Sequence, residues 1–130
     1  MSVACRVMLV DDSEADLLFT RIVLERAGQG FDVLSFEEAR AALDYLRSDA
    51  PRVELILLDI NMPGMNGFEF LDAYEALPAV QRNGSAIVML SSSADPSDRE
   101  RAAAYRCVAG YVTKPLDPAA AARLRQQASA

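Results

Sequence analysis

Short apolar runs alternate with helical patterns five times along the chain, and strands are predicted near residues 5–10, 31–36, 54–59, 86–91 and 109–113. Val7-Met8-Leu9-Val10, Leu55-Ile56-Leu57-Leu58 and Gly110-Tyr111-Val112-Thr113 show no regular polar alternation. Runs of this kind belong to strands covered on both faces, as in a parallel sheet flanked by helices. The order strand, helix, strand therefore predicts a doubly wound α/β domain.

Polar positions between the runs mark where the helices begin. Ser13 with Asp16 three residues on approximates a capping box. Asp95-Pro96 with Asp98, and Asp117-Pro118, each offer an acidic cap and then proline at the first helical position, where its missing N–H costs nothing. Ala39, Ala42, Leu43 and Leu46 have the spacing of a buried helical stripe, as do Gly67, Phe70, Leu71 and Tyr74, so both sets are expected in the core. Met62-Pro63-Gly64-Met65 predicts a tight turn just after Asp59, with Asn66 capping the third helix. Pro78 to Ser85 reads as a loop, with Asn83-Gly84-Ser85 as a turn. No repeat, linker or low-complexity tract is present, so a single domain over residues 1–130 is expected, with no output domain.

Composition narrows the function. With 52% hydrophobic and 25% charged residues, the 130-residue chain has the balance of a protein that folds around one core. Its 19 acids against 13 bases leave a net charge of -6, which sets it against nucleic acid and anionic lipid as direct ligands. Cys5 and Cys107 lack metal-ligand spacing and the chain has no histidine, so reduced, buried thiols are expected rather than a zinc site. The only early apolar stretch, Val7 to Val10, is followed at once by acids, so neither a signal peptide nor a membrane span is expected and the cytoplasm is the expected compartment.

The candidate chemistry sits where the apolar runs stop. Asp11 and Asp12 follow the first run, Asp59 the third, Ser91 closes the fourth and Lys114 follows the fifth. In an open parallel sheet, ligands bind at the carboxyl ends of the strands, so these residues share a pocket if their strands are neighbours. Crowded carboxylates repel one another, and a hard divalent cation holds them ionised together. One of them can then attack phosphorus, with the metal, an ammonium and a hydroxyl around the phosphoryl oxygens. Singly, each residue has a plainer role. Asp11 and Asp12 suit a helix N-terminus, Lys114 a solvated surface, Ser91 to Ser93 a polar strand end and Tyr111 a half-buried strand. Asp59 resists such a reading, because an acid ending a buried strand is costly unless compensated.

As a set, Asp11-Asp12, Asp59, Asn61-Met62-Pro63-Gly64, Ser91 and Lys114-Pro115 resemble the receiver domain of two-component response regulators, of the single-domain chemotaxis type, over essentially the whole chain. The resemblance implies a flavodoxin-like, five-stranded parallel sheet in the order 2-1-3-4-5 with five helices. It implies that Asp59 accepts a phosphoryl group from the phosphohistidine of a sensor histidine kinase or histidine phosphotransfer protein. Asp12 and Asp59 would then be direct ligands of Mg2+ (or Mn2+), Asp11 a ligand through water and the backbone carbonyl of Asn61 another. Lys114 and the Ser91 hydroxyl would hold phosphoryl oxygens, Ser92 would be the small residue beside the phosphate, and Tyr111 would turn inward as Ser91 moves. Asn61 and Ser93 match positions that tune phosphate lifetime, and Lys114-Pro115 is expected cis. The face made by the fourth helix, fifth strand and fifth helix would signal to an unknown downstream protein, with Arg99, Arg101 and Arg106 in the fourth helix as contact candidates, each of which singly also reads as solvated charge. Serine at 91, where threonine is more frequent, keeps the hydroxyl but loses a methyl that restricts its rotamer.

Two other classes compete. A phosphohydrolase with an aspartyl nucleophile needs a general acid two residues after it, and that position holds Asn61, whose amide cannot give up the proton. A pseudo-receiver, which never carries phosphate, has no need to maintain a costly acidic cluster. Nucleotide binding is excluded by the lack of a GxxxxGK[ST] pattern, and Gly28-Gln29-Gly30 precedes a strand instead of opening a helix.

Overall fold

A computed structural model describes residues 5–82, 84–92 and 95–129. Five strands, β1 (Cys5–Val10), β2 (Phe31–Phe36), β3 (Leu55–Leu58), β4 (Ala86–Ser91) and β5 (Val108–Thr113), form one sheet in the order β2-β1-β3-β4-β5 with every pairing parallel. This is the flavodoxin-like, doubly wound arrangement expected from the sequence. Helices α1 (Glu14–Arg26), α2 (Ala39–Arg47), α3 (Gly67–Glu75), α5 (Pro96–Ala103) and α6 (Pro118–Ser129) are joined by a four-residue helix, α4 (Ala79–Arg82).

Period-two alternation in the central strands separates two cores. Met8, Val10, Ile56, Leu58, Ile87 and Met89 face Ala42, Leu43, Phe70, Leu71 and Tyr74 on one side. Val7, Leu9, Leu55, Leu57, Val88 and Leu90 face Leu17, Leu24, Ala121 and Leu124 on the other. Both faces of β3 are therefore covered, which is why its sequence is apolar without interruption. The stripes predicted for α2 and α3 are buried throughout.

Three sequence expectations change here, and two further residues fall outside the described part of the chain. Among the described residues six helices replace five, because Gln81 and Arg82 both donate their backbone N–H to Pro78 O and wind part of the expected loop into α4. Asn83, from that loop's turn, and Ser93, from the lifetime-tuning pair, lie outside the described residues. Arg106 lies in the turn after α5, not in the helix. Cys107 is only half-buried, although Cys5 is fully buried and both thiols are free. Burial pushes the Cys107 thiol up to about 12, aided by the neighbouring Glu75 carboxylate.

Candidate phosphoacceptor site

Backbone pairing delivers the acids to one edge. Asp59 lies one residue past β3, and its N–H still donates to Val10 O at 2.9 Å, while Asp11 N–H donates to Phe36 O at 3.0 Å. The two strands thus end level, with Asp11, Asp12 and Asp59 on the same sheet edge. Lys114 follows β5, and its N–H donates to Ser91 O at 2.8 Å, which ties the lysine to the end of β4. The Lys114-Pro115 bond is cis.

Helix starts complete the frame. Ser13 Oγ accepts from Asp16 N–H at 3.2 Å, and Ser13 N–H donates to Asp11 Oδ1 at 2.9 Å. The capping box expected at Ser13 and Asp16 is thus only half made, since the Asp16 carboxylate turns to Lys114. A full capping box closes α3 instead, with Asn66 Oδ1 accepting from Glu69 N–H and Glu69 Oε1 from Asn66 N–H. Gly67 carries more than its place in a stripe. A Cβ there would lie 2.5 Å from Asp59 O and 2.8 Å from Ile60 Cα, and Gly67 N–H donates to Ile60 O. Only glycine lets α3 begin this close to the backbone of Asp59. Gly64, at φ +75, makes the intervening turn.

Carboxylate oxygens of Asp11, Asp12 and Asp59 all lie within 4.8 Å of one another. Asp11 and Asp59 are buried, whereas Asp12 is exposed at the mouth. Lys114 Nζ donates to Asp11 Oδ2 at 2.6 Å and to Asp16 Oδ2 at 2.9 Å, and stands 3.8 Å from Asp59 Oδ1. Burial pushes the Asp59 carboxyl up to about 6. Lys114 and the Ile60 N–H oppose that rise, and the charges of Asp11 and Asp12 add to it. Burial alone would lower Lys114, but its hydrogen bonds to Asp11 and Asp16 outweigh that and hold its pKa above the usual lysine value.

The donor set suits a small hard cation. It consists of carboxylate oxygens only, and Mg2+ at ~2.0–2.1 Å from each ligand holds oxygens about 3 to 4 Å apart. A closure of about 1 Å would bring the present spacing into that range. Asn61 is exposed, two residues beyond Asp59, at the same edge. Ser91 is wholly buried at the end of β4, and Ser92 is exposed beside it. Tyr111 is partly buried on β5, with the Arg99 guanidinium 4.5 Å above its ring and donating to Thr113 Oγ1 at 3.1 Å. Arg101 stacks on Phe68 at 4.0 Å. Two of the three arginines expected as partner contacts are therefore already engaged with aromatic rings of this chain.

Asp16, Gly67 and the stacking of Arg99 were not read as functional from the sequence. The available signal for Asp16 was its place as an acid in the first turn of α1, which starts at the same edge as Asp11 and Asp12.

A five-stranded parallel sheet of this order, with an acid cluster and a lysine at its carboxyl edge, defines a chemotaxis-receiver-like protein of the flavodoxin-like class. The model of the response regulator receiver domain matches residues 7–126, and the chain belongs to that family. It is 38% identical to a response regulator receiver protein from Dyadobacter fermentans, with a TM-score of 0.81 over 93% of this chain and 95% of that one. A two-component response regulator from Cytophaga hutchinsonii superposes with a TM-score of 0.86 at 31% identity, covering 95% of this chain and 96% of that one. The sensor protein GacS of Pseudomonas syringae is 32% identical over 87% of this chain, which matches 12% of its length. The chain spans less than half the length of the first curated relatives it matches. Among the described residues, no helix is long and apolar enough to cross a membrane.

Proposed function

We propose that this chain is a phosphoryl-accepting switch, in which Asp59 takes a phosphoryl group from the phosphohistidine of a sensor kinase or phosphotransfer protein. The observation that carries the reading is one side chain's surroundings. Asp59 is buried against two further carboxylates, with an ammonium 3.8 Å from its Oδ1. A carboxylate pushed up to about 6 has its ionised form destabilised, and a structural acid gains nothing from that arrangement. A nucleophile needing a cation for activation gains from it.

Asp12 and Asp59 would hold Mg2+ directly, Asp11 through water, and Asn61 through its backbone carbonyl. Bound there, the ion would neutralise the acid cluster and the charge developing on the phosphoryl oxygens. Asp59 Oδ attacks phosphorus, the P–N bond to the donor imidazole breaks, and the leaving nitrogen keeps the electron pair. Lys114 then balances charge on the phosphoryl oxygens. The Ser91 hydroxyl donates to one of them, and Ser92 leaves space beside it. Tyr111 moves inward as Ser91 is drawn across, and the face of α5, β5 and α6 presents a changed surface to a downstream protein. The unit acts as one receiver domain over residues 1–130, in the cytoplasm.

Incubation with acetyl phosphate or phosphoramidate and Mg2+ tests this. Wild type should gain one acid-stable, base-labile phosphoryl group, while Asp59→Asn and EDTA-treated wild type should gain none. Wild type that binds Mg2+ yet never labels would be a pseudo-receiver instead. Continuous phosphate release from varied phosphoesters would indicate a hydrolase.

A further inference from the structure

Lys114 is shared unequally among three acids. Its Nζ makes hydrogen bonds with Asp11 Oδ2 at 2.6 Å and Asp16 Oδ2 at 2.9 Å, whereas Asp59 Oδ1, at 3.8 Å, is beyond hydrogen-bond reach. Asp16 approaches from the first turn of α1. Its backbone N–H, not its carboxylate, serves the Ser13 cap, so the side chain is not needed to start the helix. It also stands outside the group of carboxylates that converge at metal-ligand spacing. Among the described residues, the partner of its carboxylate is Lys114.

We infer that Asp16 is a positioning residue, which draws the Lys114 ammonium away from Asp59 in the unphosphorylated protein and releases it when a phosphoryl group arrives. The inference rests on Asp59 being the phosphoacceptor. For Lys114 to reach phosphoryl oxygens on Asp59, at least one of its present bonds must lengthen. The Asp16 side chain is 48% exposed and the Asp11 side chain 8%, so water can replace the lysine on Asp16 but scarcely on Asp11. The bond to Asp16 is therefore the one that gives way, and until it does, it competes with the phosphoryl group for the ammonium. Removing the charge of that acceptor weakens its hold on the ammonium and favours the phosphorylated arrangement and anything that mimics it.

Beryllofluoride, which adds to a carboxylate as a phosphoryl mimic, provides the test. Its affinity in the presence of Mg2+ is measured by fluorine NMR for wild type, Asp16→Asn and Asp16→Glu. Asp16→Asn should bind about threefold tighter than wild type, the scale of a half-exposed charge pair, and Asp16→Glu should return to near the wild-type value. In metal-free protein, the slowly exchanging side-chain ammonium signal of Lys114 should shift on Asp16→Asn and persist in Asp16→Glu. A lowered melting temperature with unchanged beryllofluoride affinity would mean a structural role only, and would overturn the inference. So would weaker binding by Asp16→Asn. Wild type that fails to bind beryllofluoride at all would instead overturn the phosphoacceptor reading, and this inference with it.

Discussion

Replacing Asp59 with asparagine should stabilise the metal-free protein, by an amount that depends on pH in a defined direction. The Asp59 carboxyl is pushed from 3.8 up to about 6, first by burial and then by Asp11 and Asp12. A folded state with the higher pKa holds the proton more tightly than the unfolded chain. The contribution of this group is favourable below the unfolded value, and is lost as pH rises through the folded one. At neutral pH the ionised carboxylate then costs the fold about 3 kcal/mol, from 1.36 kcal/mol per pKa unit. Asparagine has the shape of the protonated acid and no charge to desolvate. Urea unfolding in EDTA between about pH 4 and pH 8 should therefore show the two proteins converging at the acid end. Towards pH 8, Asp59→Asn should lead by about 2 to 3 kcal/mol. Adding Mg2+ should close much of that gap, because a ligand of the native state stabilises only the protein able to bind it. A difference that is flat across this range, or that grows towards acid, would refute the claim that Asp59 is destabilised by its surroundings.

Three further outcomes follow from the packing. Gly67→Ala should cost about 1 to 3 kcal/mol in urea unfolding, because its Cβ meets the backbone of Asp59 and Ile60, which cannot swing aside; a loss under about 0.5 kcal/mol would contradict that contact. A double-mutant cycle between Arg99→Ala and Tyr111→Leu should give a coupling of about 0.5 to 1 kcal/mol, and zero coupling would show that the stacking seen at 4.5 Å does not persist in solution. Native Cys107, its thiol pushed up to about 12, should react with iodoacetamide near pH 8 at least about 100-fold more slowly than in urea, and equal rates would show that its burial is not maintained.

Much of this architecture was legible because the signals were redundant. Leu55 to Leu58 could only be a strand covered on both faces, and Asp95-Pro96 marked a helix start that the structure confirms through the bond from Ser97 N–H to Asp95 Oδ1. The acids and Lys114 were readable as a set because each sits where an apolar run stops. What escaped was direction and distance between parts far apart in the chain. Asp16 and Lys114 are 98 residues apart, and nothing local says that the Asp16 carboxylate turns to a lysine rather than back to its own helix start. Gly67 fitted a buried stripe, so its close approach to Asp59 was hidden behind a pattern that any small residue would satisfy. Arg99 and Arg101 had the look of solvated charge, because a guanidinium stacked on an aromatic ring leaves no periodic trace. The short α4 depends on Pro78 O accepting twice, a detail of geometry rather than of composition.

The central claim is that Asp59, among the acids gathered at this edge, is the one that accepts phosphorus. Borohydride reduction of protein treated with phosphoramidate and Mg2+ tests it most directly, since an aspartyl phosphate is reduced to homoserine while a free carboxylate is untouched. Peptide mapping should find homoserine at position 59 alone, and none when EDTA is present. Homoserine at position 11, 12 or 16, or a yield at 59 that ignores EDTA, would contradict the account.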